Sequence, residues 1–385
     1  DLDRHAIHEL GIPGYELMTR AGHATLNALR ALWPATRSIS VLCGPGNNGG
    51  DGYVVARVAR AQGIPAHVVA VGDPRQLAGD ARHAYDEFVA AGGHCEPWSP
   101  MVLESDVIVD ALYGTGLARA VSGEAAAMIE AVNASGRPVV AVDVPSGLHA
   151  DSGAVLGVAT RAALTVTFIG RKLGLYLGAA PEHVGHLVFD GLQVPPETDS
   201  VATPVARLLG EADVHGALPR RRRAAHKGDH GHVLVIGGGP GMPGAARLAG
   251  EAALRAGAGL VTLAVHPDNI GVVAARPELM CVASRSASDL ATALSRATVV
   301  AVGPGLGQGD WSRELFEAAL ASGKPLVVDA DALNLLAATR RRHERWLLTP
   351  HPGEAARLLG TSTAEVQSDR LAATRALQER FGGTV

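Results

Sequence analysis

The chain of 385 residues has room for two or three domains at the usual ~100–200 residues each. Apolar residues make up 47% and charged residues 19%, which excludes intrinsic disorder. The net charge of −4 gives nucleic acid no general electrostatic reason to bind, and no stretch reaches the ~18 apolar residues of a membrane span.

Short Val/Ile-rich runs alternate with helical patterns. The pattern predicts a helix over 16–32, with apolar Leu17, Leu26 and Leu29 that form either core or a dimer surface of a homo-oligomer. A strand over 38–43, a glycine loop and a helix over 51–61 follow. Strands are then predicted over 66–71, 106–110, 138–142 and 163–168, with helices over 76–91 and 123–134 between them. Near Pro195 the pattern stops in Gln193-Val-Pro-Pro-Glu-Thr-Asp-Ser200, a linker composition. Arg220–Arg223 reads as a solvated loop or a phosphate contact. A second series has strands over 232–236, 260–265, 298–302 and 325–329, and helices over 245–256 and up to 321. Continuous apolar strands alternating with helices give α/β domains with parallel sheets covered on both faces. The domains expected are 1–200 and 216–385, with a linker over 201–215.

Residues 1–200 carry 13 Lys/Arg against 21 Asp/Glu, and residues 201–385 carry 21 against 17, so the halves differ in charge. Cys43, Cys95 and Cys281 are too far apart to suggest a disulfide framework or a zinc site. The start, Asp1-Leu-Asp-Arg-His, has no signal-peptide apolar core and no initiator Met. Residues missing before Asp1 and a soluble cytoplasmic protein are the expectation. The 47 glycines and 22 prolines, about 18% of the chain against an average near 12%, concentrate in loops after strands.

The first such loop is Gly44-Pro-Gly-Asn-Asn-Gly-Gly-Asp-Gly52. Gly44, Gly46 and Gly49 satisfy a dinucleotide fingerprint, which would make the chain an NAD-dependent oxidoreductase with Asp73 as its ribose acid. Asn47, Asn48 and Asp51 fit that reading poorly, because a carboxylate repels pyrophosphate unless a cation intervenes. Amide oxygens and a carboxylate suit a cation, or alternatively a tight turn with a helix cap. The second loop, Asp110-Ala-Leu-Tyr-Gly-Thr-Gly-Leu-Ala-Arg-Ala120, has an acid at the strand end, backbone donors at Gly114–Gly116 and a phosphate-pairing Arg119. The third, Val142-Asp-Val-Pro-Ser-Gly-Leu148, repeats the strand-end acid with Asp143. In Phe168-Ile-Gly-Arg-Lys172 the basic pair is a solvated loop or a ligand contact.

These three loops in this order, with Asp3-Arg-His-Ala-Ile and Gly11-Ile-Pro-Gly at the start, resemble the NAD(P)H-hydrate epimerase domain over nearly all of 1–195. The resemblance implies a Rossmann-like doubly wound domain that interconverts the R and S epimers of hydrated NADH or NADPH, a small-molecule substrate with a hydroxyl at C6 of its reduced ring. It implies a potassium ion on Asn48, Asp110 and Ser146. Substrate would lie along Asn47, Asn48, Gly49, Gly50, Asp51, Gly114, Thr115, Gly116, Leu117, Ala118, Arg119 and Ala120, with Asp143 as the catalytic acid–base group.

In the second half, Gly241-Met-Pro-Gly-Ala-Ala246, Gly303-Pro-Gly-Leu-Gly307, Asp329-Ala-Asp-Ala-Leu-Asn334 and Thr349-Pro-His-Pro-Gly-Glu354 resemble the ADP- or ATP-dependent NAD(P)H-hydrate dehydratase, a ribokinase-like α/β fold. The strand-end acids Asp329 and Asp331 suit a magnesium–phosphate site or a helix cap. The resemblance implies that Ala245, Gly305 and His351 contact the S epimer, which is dehydrated through phosphorylation of its hydroxyl. That family continues with a Lys-Gly-x-x-Thr segment and a Gly-Asp loop carrying the base. Neither is found in 1–385, so this second domain reads as incomplete and the 385 residues alone are expected to lack dehydratase activity. A non-catalytic binding module, and a sugar or vitamin kinase built on the second half, are the remaining alternatives.

Overall fold

The computed structural model describes residues 2–195 and 201–385. The linker reading over 196–200 lies outside the described residues. Two compact units form, Asp1–Leu208 and Leu209–Val385.

The first unit is a six-stranded parallel sheet of β1 (Ile39–Cys43), β2 (Ala66–Ala70), β3 (Val107–Ala111), β4 (Val139–Val142), β5 (Leu164–Phe168) and β6 (His186–Asp190). Its order is β2-β1-β3-β4-β5-β6. Every residue of β1 is buried, as a strand covered on both faces requires. Ile39, Val41 and Cys43 point to one apolar cluster, shared with α1 (Leu2–His8), α2 (Gly14–Leu32), α3 (Asn47–Ala61) and α4 (Gly79–Ala90). Leu42 points to the opposite cluster, shared with α5 (Gly123–Ala134). The alternation is the two-residue period of the strand made into two helix layers. Leu17, Leu26 and Leu29 are buried in the first cluster and belong to the core.

Because β2 and β3 flank β1 on opposite sides, the strand order reverses at β1. The loops after β1 and β3 therefore diverge and leave a crevice at the carboxyl edge. The reversal also brings β3 against the turn out of β1. A Cβ on Gly44 would lie 1.7 Å from the carbonyl oxygen of Leu112, so no side chain fits there. Helix α3 starts at Asn47, four residues earlier than its apolar pattern suggested. Extended Gly46 precedes it, and Asn47–Asp51 form its opening turns instead of a free loop.

The second unit repeats the plan with β7 (His232–Ile236), β8 (Leu260–Val265), β9 (Met280–Ala283), β10 (Val299–Val302), β11 (Leu326–Val328) and β12 (Trp346–Leu348). All pairs are parallel, in the order β12-β11-β10-β7-β8-β9. Here the order reverses at β7, between β8 and β10. Strands β6, β9 and β12 were not read from sequence; β6 and β9 are only partly buried, and β12 has three residues. Among the described residues, no helix is long and apolar enough to cross a membrane.

Gly44→Ala should destabilise the first unit by roughly 1–3 kcal/mol, the usual range for overpacking. Calorimetry should show its melting transition lowered by several degrees, with the transition of Leu209–Val385 unmoved.

Candidate functional site

A cavity of about 690 Å³ opens at the crevice of the first unit, within the ~300–1,000 Å³ range of ligand sites. Its lining joins the start of α3 (Asn47, Asn48, Asp51), the loop after β3 (Gly114 to Arg119), Asp143 after β4, and Lys172 after β5. Asp3 of α1 and Asp80 of α4 complete the wall. Nearly all the residues expected at the substrate thus meet in one place. Gly49, Gly50 and Ala120 do not line the cavity. The two glycines are buried in the turn of α3, where Gly49 packs on the Gly44 backbone and Gly50 on Met18.

Asp110 and Ser146 are buried and do not line the cavity. Asp110 Oδ1 accepts the Ser146 hydroxyl at 2.6 Å and the Leu112 N–H at 3.2 Å, and its Oδ2 accepts the Ser146 N–H at 2.9 Å. Ser146 Oγ in turn accepts the Tyr113 N–H at 2.8 Å. Burial pushes the Asp110 carboxyl above its ordinary range, against the lowering effect of the Ser146 bonds. No cationic side chain pairs with it among the described residues. In the cavity wall, Asn48 reaches Gly114, whose added Cβ would lie 3.1 Å from Asn48 Oδ1, while Asn48 Nδ2 is buried without a partner among the described residues. A buried carboxylate without a counter-ion, an amide oxygen and a hydroxyl are hard donors that fit a potassium ion.

Asp143 has a left-handed backbone, φ 67°, which is strained for a residue with a side chain. Its Oδ1 accepts Lys172 Nζ at 2.5 Å and the Thr167 hydroxyl at 3.1 Å. Lys172 also donates to the Phe168 carbonyl at 2.8 Å. This ion pair resolves the basic pair of the sequence: Lys172 enters the cavity, whereas Arg171 lies over the Phe189 ring. Asp51 is pushed well above the usual carboxylate range, first by burial and then by the charges of Asp143 and Asp3, with Lys172 opposing. Asp73 is not in the cavity; it caps a short 3-10 turn and binds Arg75 through both oxygens at 2.9 and 3.0 Å. The oxidoreductase reading therefore loses its ribose acid.

In the second unit, the loops after β7 and β10 are bonded together, Gly238 N–H to Pro304 O at 3.0 Å and Gly239 N–H to Gly305 O at 2.6 Å. They bring Ala245 and Gly305 together, since a Cβ on Gly305 would lie 3.0 Å from that of Ala245. His351 stands after β12, beyond the intervening β11, as the cap of the helix Pro352–Leu359, and its Nδ1 accepts the Gly353 N–H at 3.0 Å. Asp331 accepts the Gly307 N–H at 2.8 Å, and Asp329 accepts the Thr349 hydroxyl at 2.8 Å. Of the arginine run, Arg221 binds the Gly257 carbonyl at 2.5 Å.

Residues 14–174 match the model of the YjeF-related protein N-terminus, and residues 233–385 match that of NAD(P)H-hydrate dehydratase. The bifunctional NAD(P)H-hydrate repair enzyme Nnr of Coxiella burnetii is 48% identical over 100% of this chain and 79% of its own length. The chain belongs to the bifunctional NAD(P)H-hydrate repair enzymes. The relative of the same name from Escherichia coli is 45% identical over 99% of this chain and 74% of its own length. Among solved structures, the ADP/ATP-dependent NAD(P)H-hydrate dehydratase from Bacillus subtilis, co-crystallised with ATP/Mg2+, is 30% identical. It has a TM-score of 0.40 and covers 45% of this chain and 63% of its own.

Burial keeps Asp51 neutral to higher pH in the folded chain than in the unfolded one, so its ionisation weakens folding. That cost is absent below the unfolded value near 3.9 and grows as pH rises through the folded value. Asp51→Asn should therefore raise the melting midpoint of the first unit at pH 7 and leave it unchanged near pH 3.5, as scanning calorimetry at the two pH values will register.

Proposed function

We propose that the first unit epimerises hydrated NADH and NADPH between their R and S forms, and that the second carries the S-hydrate and nucleotide contacts of the nucleotide-dependent dehydration to NAD(P)H. The observation that carries the first assignment is Asp143, a carboxylate in a strained backbone, with one oxygen held by Lys172 and Thr167 inside a cavity of about 690 Å³. A carboxylate so placed can exchange a proton with a bound hydroxyl. Arg119 and the amides of Gly114–Gly116 suit the pyrophosphate, and binding energy gained there holds the distant ring in position.

Asn48, Asp110 and Ser146 would hold potassium, which supplies the positive charge that the buried Asp110 lacks and a positive field for the phosphates. In the second unit, Ala245 and Gly305 would contact the S-hydrate, with His351 completing the contact from the end of β12. The free oxygens of Asp329 and Asp331 would share magnesium with the nucleotide phosphates, consistent with its preference for a few carboxylates plus phosphate.

Asp143→Asn should reduce epimerisation by ~10²–10⁴-fold, the usual worth of one acid–base group, while circular dichroism and the melting midpoint stay as in the parent. An active Asn variant would remove the assignment. Replacing potassium with lithium in the buffer should lower epimerase activity and the melting midpoint of the first unit. Asp110→Asn should abolish that ion dependence; an ion response that persists in the variant would place the cation elsewhere.

A further inference from the structure

Lys172 is not used by the reading above except as a neighbour of Asp143, yet its surroundings specify more. An ammonium has three N–H donors. Two are engaged, with Asp143 Oδ1 at 2.5 Å and the Phe168 carbonyl at 2.8 Å, which leaves the third for the cavity that Lys172 lines. Asp143 is complementary. Its Oδ1 is taken by Lys172 and Thr167, its backbone N–H is fixed to the Val166 carbonyl at 2.7 Å, and its Oδ2 has no partner among the described residues. One free acceptor and one free donor therefore lie side by side, carried by the turns that follow the adjacent strands β4 and β5.

We propose that Lys172 is the proton donor paired with Asp143, and that the pair epimerises the hydrate by opening and reclosing its ring rather than by expelling its hydroxyl. The inference rests on the epimerase reading of this cavity. The hydrated ring bears its hydroxyl on C6, next to the ring nitrogen N1, so O, C6 and N1 form a hemiaminal. Asp143 Oδ2 takes the hydroxyl proton, the O–H electron pair forms the C6=O bond, and the C6–N1 bond breaks. The C6–N1 pair remains on N1, which takes a proton from Lys172. The open aldehyde turns its other face to N1. Lys172 then recovers its proton as N1 attacks C6, and Asp143 returns its proton to the new hydroxyl. Every proton and electron pair is restored without another reactant.

The adjacency of donor and acceptor favours this route. Opening needs an acceptor for O–H and a donor for N1, two atoms on one carbon, and a single wall supplies both. Expulsion would need an acid to release hydroxide from one face and a base to deliver water to the other.

The test uses the full chain and the R-hydrate of NADH, with two readouts. In water enriched in ¹⁸O, the S-hydrate formed should keep its original oxygen beyond the uncatalysed exchange; one solvent oxygen per turnover would overturn ring opening. Lys172→Met should lower kcat by about 100-fold or more with KM changed less than about threefold and the melting midpoint retained. Lys172→Arg should remain as impaired, because a guanidinium holds Asp143 but does not give up its proton. Recovery of kcat by Arg, or a rise in KM alone, would reduce Lys172 to a positioning residue and overturn the proton-donor assignment. Loss of the melting transition in Lys172→Met would leave the Arg variant and the oxygen label to decide. Absence of epimerisation by the parent chain would instead sink the epimerase reading itself.

Discussion

The first unit is organised around the buried carboxylate of Asp110. A charge removed from water must be met by hydrogen bonds or by an opposite charge, and Asp110 has only the former among the described residues. Its bonds reach Leu112 on its own strand end and Ser146 on the loop after β4, while Tyr113 closes onto Ser146. The turns after β3 and β4 are thereby locked together. One carries the Gly114–Gly116 amides and the other carries Asp143. The distance between the Gly114–Gly116 wall and the Asp143 wall of the cavity is set by this single node, three residues before Ser146 at Asp143 and four after Asp110 at Gly114. A cation at Asp110 would complete the node and stiffen it.

The strain at Asp143 belongs to the same arrangement. A left-handed backbone at a non-glycine residue costs of order 1–3 kcal/mol and persists only where its surroundings over-determine it. The Val166 carbonyl, Thr167, Lys172 and the Ser146 anchor provide that determination. The second unit shows a related feature at Ala330, φ 48°, between Asp329 and Asp331. Both residues follow a strand at the carboxyl edge, and Ala330 caps the helix Asp331–Thr339 directly. Gly303 there has no more room than Gly44, since a Cβ would lie 1.7 Å from the Asp329 carbonyl. The two units thus solve the same geometric problem, a sharp exit between close backbones, with the same residue type.

The core strands were legible because their apolar runs are continuous, and β7 and β8 were readable to the residue. The edge and short strands β6, β9 and β12 were not, since a partly exposed strand such as His186–Asp190 mixes polar and apolar positions like a loop. The start of α3 was obscured for a different reason. Asn47 to Asp51 contain two glycines and no apolar residue, a composition that local propensity assigns to a turn. They become helical because Gly49 can press on the Gly44 backbone and Gly50 on Met18, contacts fixed by the packing of α3.

The resemblance to the epimerase domain grouped Asn48, Asp110, Asp143 and Ser146, while the sequence by itself determined two α/β units and the loops after strands as candidate sites. It did so because strand ends and glycine turns are local signals with fixed consequences for where side chains emerge. Only the tertiary structure decided that Lys172 pairs with Asp143, 29 residues away, that Asp73 binds Arg75, and that burial beside other acids raises the Asp51 carboxyl above its usual range. Those outcomes depend on which strands become neighbours and on how much water the packed helices exclude. Neither quantity is written in any one segment of the chain.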